Sequence, residues 1–470
     1  MPYVNLRQYL ESLERAGLLR RIAVEVDKDW EIAAVAKRLF QRLPEARRPG
    51  LLFERVRGFS IPVAAGVFGA SPEVYATALE CRPEEIHARW RHAFSHPLPP
   101  RVVAHGACKE HILRGEAADL TSLPVPTWTV GEDPSPYITA GQVISTHPDT
   151  GLTNVGVYRL QIKGPRRAGL FVAPGHGMSP HLARNEALGR PTPVAVVLGS
   201  EPTCVLTAAS QVPPDMEEYA VAGGLRGAPV DVVRCETNDL FVPAEAEIVI
   251  EGIVPAGERE MEGPFGEYTG YMGPAGASHV LEVTCVTHRR EPIYPCFVSE
   301  MPPSESSLIR GVGRAAALYE HLAARGFPVT DVYLPPEGGA AAWLLIVLRQ
   351  GSPCDVEALT EQTWKLDPTL GKFTVLLDED INPRNSFEVH WALAFRLQPR
   401  RDSRLIADAA GINLDPSLAD PSLPPADRFK VRSSKLLLDA RKKHPYPARS
   451  VPPPQHFAEV DRRWSSYGLP

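Results

Sequence analysis

The segment EREMEGPFGEYTGYMGP at 258–274 sets two carboxylates, Glu262 and Glu267, on either side of Gly263, Pro264 and Gly266. Five positions apart, they would leave opposite faces of a strand and would also separate on a helix. The glycines and the proline oppose both forms. A turn through Gly-Pro-Phe-Gly folds the backbone so that both carboxylates face one pocket, with Phe265 and Tyr268 as a low-dielectric wall. Burial and a like-charged neighbour each raise a carboxyl pKa, so one of the pair can stay protonated near neutral pH and act as a proton donor. On composition alone the same residues also suit a solvated acidic turn.

A second group lies in TNVGVYRLQI, 153–162, which carries Asn154 and Arg159. The planar guanidinium of Arg159 can grip a substrate carboxylate in two places, or pair with Glu262 and hold it ionised. Taken alone it also reads as a surface arginine in a surface ion pair. Asn154 and Arg159 have opposite strand parity, and Gly156 is the expected bulge that brings both to one site. His176 in PGHG and Glu218 in EEYAVAGGLRG complete, with Asn154, an O, N, O donor set of the kind Mn2+ or Mg2+ accepts. Individually, His176 is also a plain loop histidine and Glu218 a helix-surface charge.

The elements that must position these residues fall into three stretches. At 470 residues the chain calls for two or three domains. Near the start, Asn5 caps a helix, Gln8 reciprocates, Val4 staples onto Tyr9 and Gly17 ends it; Leu6, Tyr9, Leu10 and Leu13 form one apolar stripe. Further helices are expected over 30–42 and 72–91, then a linker at 96–103. From about 118 to 300, β-branched runs alternate with turn signals in a rhythm suited to a barrel or folded sheet. Beyond 305, helix and strand patterns alternate, predicting a third, α/β unit, and PYPARSVPPP begins an extended tail that wraps or docks.

Other functions lack their anchors. The charge of −6, from 50 basic and 56 acidic residues, provides no field for a phosphate backbone, so nucleic acid is not an expected partner. AAAWLLIVL stops at Arg349, short of a membrane span, and the N-terminus lacks a secretory pattern; a cytoplasmic protein is expected. Seven cysteines without a CxxC pair predict reduced, mostly buried thiols. GxxxxGK[ST], GxSxG, HExxH and GxGxxG are absent.

Together these segments resemble the UbiD family of reversible decarboxylases. The likeness runs from LRQYLESLERAGLLRRI through LFERVRGFSIPVAAGVFGAS, TNVGVYRLQ, EEYAVAGGLRG, NDLFVPAEAEIVIEG and EGPFGEYTGY to DEDINPRN, VHWALAFRLQP and SKLLLDARKK. The resemblance implies an α+β multidomain fold: an N-terminal α/β domain over 1–115, a central split β-barrel flavin-binding domain over 116–310, a C-terminal α/β oligomerisation domain over 311–445, and a tail. It implies prenylated FMN bound along Asn154, Val155, Gly156, Val157, Tyr158 and Arg159, with Gly175, His176, Glu218 and Lys372 as further contacts. Asn154, His176 and Glu218 would hold Mn2+ or Mg2+ at the cofactor phosphate, with K+ as a further ion. Glu267 would be the proton donor, and Arg159 with Glu262 would fix the geometry. The substrate would be an aromatic, heteroaromatic or α,β-unsaturated carboxylic acid, a flavin prenyltransferase would supply the cofactor, and the assembly would be a homodimer or larger. PGHG, DINPRN and DARKK depart from the family pattern, which bears on substrate and tail contacts. A flavin-handling protein without this chemistry, or the same enzyme running as a carboxylase, are the alternatives.

Overall fold

The computed structural model describes every residue except Met1, Pro174, His176, Gln211, 213–215, Asn413, Pro421, Pro424, Phe429 and 469–470. Its first helix, Leu6–Arg15, starts as the capping pattern requires, with the Asn5 side chain accepting the Gln8 N–H, and it buries Leu6, Tyr9, Leu10 and Leu13. The reciprocal contact shifts by one residue: the Gln8 side chain accepts from Val4 N–H, and the ring against Tyr9 is Tyr3, at 5.4 Å, while Val4 is exposed. This helix packs beside a four-stranded sheet ordered Leu19–Val26, Gly50–Val56, Val63–Ala65, Tyr294–Cys296. The last strand pairs Tyr294 with Val63, 231 positions earlier, so the N-terminal unit is not closed in sequence. The stretch 72–91 is not one helix. It divides into Pro72–Ala78 and Ile86–Ser95, because Glu80 turns through φ 49 and Pro83 cannot donate to a continuing helix.

The passage at 96–103 is a structured crossing. Leu98 N–H donates to Ala220 O at 2.8 Å, and Arg101–Val102 pairs in parallel with Asp231–Arg234. Ten strands then build the central sheet. Across it run Tyr137–Ile138, Leu160–Gly164, Arg167–Leu170, Gly276–His288, Ile248–Val254, Thr192–Leu198, Gln142–Thr146 and Thr153–Val157, with His111–Arg114 and Glu260–Glu262 pairing onto the long strand. Thr153–Val157 and Leu160–Gly164 lie six strand positions apart, about 29 Å across a flat sheet. Tyr158 and Arg159 alone connect them, a reach of roughly 10 Å. The sheet must therefore curl until its two edges approach, and Arg159 sits where they meet. One apolar core runs from the N-terminal unit, through Leu6, Phe53 and Trp90, into the central sheet at Leu160, Val196 and Leu281.

The third unit is a five-stranded sheet ordered Val329–Tyr333, Trp343–Leu348, Phe373–Asp378, Arg432–Asp439, Ser403–Ala410, parallel at its centre, with helices Glu305–Ala323, Val356–Leu366 and Ser386–Arg396. The whole is a mixed α/β, multidomain fold. After the proline stretch the tail forms a helix, Pro454–Arg462, none of whose side chains is buried within the chain. The seven cysteines are free thiols, five of them buried. Among the described residues no helix is long and apolar enough to cross a membrane.

One carboxylate joins the units. Glu305, fully buried at the start of its helix, accepts N–H bonds from Gly66 at 3.0 Å, Phe68 at 2.8 Å and Val298 at 2.9 Å. Burial pushes its carboxyl up to about 7 even though these donors favour the anion. Glu305→Ala strands three buried donors at about 1–3 kcal/mol each. A clearly lowered thermal midpoint is expected; an unchanged midpoint would show that these bonds contribute nothing.

Candidate functional site

Arg159 collects both carboxylates of the Gly-Pro-Phe-Gly turn. Its Nε and Nη2 donate to the two oxygens of Glu262 at 2.9 and 2.7 Å, and its Nη1 donates to Glu267. Of the two roles open to Arg159 in the sequence, its fork is committed to carboxylates of the protein. The side chains are 10%, 1% and 14% exposed for Arg159, Glu262 and Glu267. Leu160 pairs with Leu170, so one step beyond them Arg159 and Phe171 meet: Phe171 N–H donates to Arg159 O at 3.4 Å, and the guanidinium lies 4.2 Å from the Phe171 ring centre. Phe265 covers it from another side at 5.5 Å.

The turn is built in two steps. Glu262 ends the strand Glu260–Glu262, in register with Gly276. Phe265–Gly266 and Met272–Gly273 then form a small hairpin, closed by Glu267 N–H to Tyr271 O at 2.9 Å. Glycines make room: a Cβ on Gly169 would lie 3.1 Å from Glu262 Cγ, and one on Gly273 would lie 2.9 Å from Glu267 Cγ. Burial raises the Glu267 pKa and Glu262 adds to it, against the lowering by Arg159 and Arg310. Arg159 is held charged against its own burial by Glu267 and Glu262.

The parity problem of Asn154 and Arg159 has a different solution from the expected one. Thr153–Val157 pairs with Gln142–Thr146 in unbroken register, without a bulge at Gly156. The strand stops at Val157 and the chain crosses between the sheet edges, which frees Arg159 from the alternation. Asn154 Nδ2 donates to Glu218 at 3.0 Å, Val155 N–H donates to the other Glu218 oxygen at 3.0 Å, and Tyr158 O–H reaches Asn154 Oδ1 at 3.3 Å. Glu218 opens the helix Glu218–Arg226, where the helix dipole favours an anion. Burial nonetheless pushes its carboxyl up to about 7. Gly175 lies at φ +84; His176 lies outside the described residues, so its expected place beside Asn154 is not part of this geometry. Among the described residues, Lys372 Nζ bonds Asp415 and Ser417, each at 2.8 Å.

A small cavity lies over the Arg159 pair, lined by Arg159, Phe171, Glu262 and Glu267. Pro274, Gly276, Ala277 and Ser278 form one wall, and Leu414 and Arg428 reach it from the third unit. Phe171, Leu414, Arg428 and Arg310, which stacks on Tyr268 at 3.9 Å, carry no sequence signal of their own. GLFVAP reads only as a strand, and residues 414 and 428 reach the site through tertiary packing.

Fold and site together define two buried carboxyl groups held by one guanidinium beside a small cavity. Three family models match: the 3-octaprenyl-4-hydroxybenzoate carboxy-lyase N-terminal domain over 10–94, its Rift-related domain over 101–302 and its C-terminal domain over 307–440. The chain belongs to the UbiD family of carboxy-lyases. Among similar solved structures is the UbiD-class enzyme HmfF from Pelotomaculum thermopropionicum in complex with FMN, 35% identical over 97% of this chain and 99% of that one, TM-score 0.87. An evolved dimeric form of HmfF in complex with prFMN is 34% identical over 98% of this chain and 100% of that one, TM-score 0.85. The vanillic acid decarboxylase of Sedimentibacter hydroxybenzoicus is 26% identical over the full length of both chains, TM-score 0.84.

Proposed function

We propose that this chain removes CO2 reversibly from an aromatic, heteroaromatic or α,β-unsaturated carboxylic acid, using prenylated FMN and a divalent metal. The observation that carries the reading is the Arg159 fork holding Glu262 and Glu267 together at the cavity floor. The curled central sheet is read as the split barrel that binds the flavin. Loss of CO2 from an sp2 carbon leaves a localised carbanion that no side chain here can delocalise; bound prenylated flavin supplies an electron sink.

The residues near Asn154 fit such a group. Glu218 offers a carboxylate and Asn154 an amide whose Nδ2 bonds Glu218 while its Oδ1 accepts from Tyr158, and a cation at Glu218 would offset the burial that pushes its carboxyl up to about 7. With His176 they would hold Mn2+ or Mg2+ at the flavin phosphate, and Val155 to Arg159, Gly175 and Lys372 would line the cofactor. Glu267 holds a proton and delivers it to the carbon that loses CO2. Glu262 keeps Arg159 fixed, and Arg159 keeps the Glu267 carboxyl aimed at the cavity. Phe171 and Phe265 exclude water from the guanidinium, which strengthens its ion pair with Glu262 and its hydrogen bond to Glu267. The chain is read as acting in a homodimer or larger assembly and as receiving its cofactor from a flavin prenyltransferase.

The deciding experiment uses protein produced together with a flavin prenyltransferase and a panel of the three acid classes. Altered flavin absorbance with acid-dependent CO2 release is expected; ordinary FMN without CO2 would instead mark a flavin-handling protein. In Glu218→Gln, metal and flavin contents are expected to fall at least about tenfold. Full retention of both would remove Glu218 from the ligand set.

A further inference from the structure

A third carboxyl group stands behind the Glu267 turn. Glu300 occupies φ +71, a left-handed backbone that a residue with a Cβ enters only under constraint from its surroundings. Its side chain fills the space left by the glycine before Glu267: a Cβ on Gly266 would come within 2.4 Å of Glu300 Cγ. Glu300 Oε1 is buried and has no hydrogen-bond partner among the described residues. Asp133 repeats this condition. Its Oδ2 accepts N–H bonds from Trp128 and Thr129 at 2.9 and 2.8 Å, while its Oδ1 is buried without a partner among the described residues.

The charged groups facing Glu300 come from three other segments. Asp133 and Glu267 disfavour its anion, and Lys37 of the helix Glu31–Arg42 favours it. Burial is the largest influence and takes the Glu300 carboxyl up to about 8. Burial likewise raises Asp133 and takes Lys37 down to about 8, with the Lys37 ammonium at 3.4 Å from Pro303 O. A buried oxygen with no donor is costly as an anion and less so as part of a neutral carboxyl.

We propose that Glu300 is a proton-positioning residue that recharges Glu267 after each turnover. This rests on Glu267 as the donor. In each cycle the bond to the carboxylate carbon breaks, CO2 leaves, and a C–H bond forms with the proton of Glu267. The Glu267 carboxylate takes the Glu300 proton, and Glu300 takes one from water. One proton enters for each CO2 released, with no net oxidation or reduction.

Glu300→Gln tests the inference in cofactor-loaded enzyme. Expected are a kcat at least about tenfold lower, an unchanged flavin content, a KM within about twofold, and recovery of rate on adding acetic acid buffer at constant pH. A merely structural role would not produce buffer rescue. A Glu300→Gln kcat within about twofold of wild type overturns the proposal. The second measurement needs no turnover: 13C NMR of protein labelled at glutamate Cδ, with the Glu300 signal identified by its loss in Glu300→Gln or Glu300→Asp. Titration near 8 supports the reservoir, and titration in the ordinary carboxylate range overturns it. An inactive Glu267→Gln beside a fully active Glu300→Gln sinks the reservoir alone, whereas a fully active Glu267→Gln removes the donor assignment and the reservoir with it.

Discussion

Glu267→Gln is expected to lower kcat by about 10²–10⁴-fold, the usual contribution of a positioned general acid, while flavin content and thermal midpoint stay near wild type. The amide keeps the size of the carboxyl, and its oxygen can still accept from Arg159 Nη1, so the hairpin Phe265–Gly273 has no reason to reorganise. What it lacks is a proton of suitable acidity. Wild-type kcat should carry an alkaline limb if Glu267 is the donor proposed above, because burial raises its pKa and a donor is lost as pH rises through that value. A Glu267→Gln enzyme that turns over at the wild-type rate would mean another group supplies the proton. Steady-state CO2 release, normalised to bound flavin, decides between the two.

The parts of this site that were legible in the sequence are those where one segment carries its own reason. EGPFGEYTGY shows, without a structure, that Glu262 and Glu267 cannot sit on one regular element, and the glycines at 263, 266 and 273 are those the turn needs. The stripe Leu6, Tyr9, Leu10, Leu13 was equally readable, because helical periodicity is local. The placement of Arg159 was not. Strand parity suggests a bulge at Gly156, yet the actual device is the end of the strand at Val157 and the two-residue crossing to Leu160 in a ten-stranded sheet, whose order depends on pairings such as Arg167–Glu282 that join residues over a hundred positions apart. Phe171, Leu414 and Glu300 were invisible for the same reason: each acquires its environment only when two or three units pack. The break at Glu80 leaves no mark in the sequence, because its φ of 49 belongs to a residue type that rarely takes it.

Arg159→Met should be the most damaging single change at the site, and its signature separates charge from shape. Methionine fills much of the space against Phe171 and Phe265, so the packing loss is small. The electrostatic loss is large. Glu262, 1% exposed, and Glu267 are left facing each other without the cation that links them. Breaking a buried pair from one side costs about 3–5 kcal/mol, and activity should fall by at least about 10²–10³-fold as the donor loses its orientation. The stability deficit has a sign in pH: burial already raises the Glu267 carboxyl, so as pH falls it takes up its proton, the repulsion within the pair is relieved and the deficit shrinks. Thermal midpoints of wild type and variant at a series of pH values read this directly; a deficit independent of pH would mean that packing, not charge, dominates. Arg159→Lys should fall between. It restores a positive charge, so much of the stability returns, but one ammonium cannot present Nε and Nη2 to Glu262 and Nη1 to Glu267 at once. Activity should therefore recover less than stability, because folding requires the charge while proton delivery requires the fork.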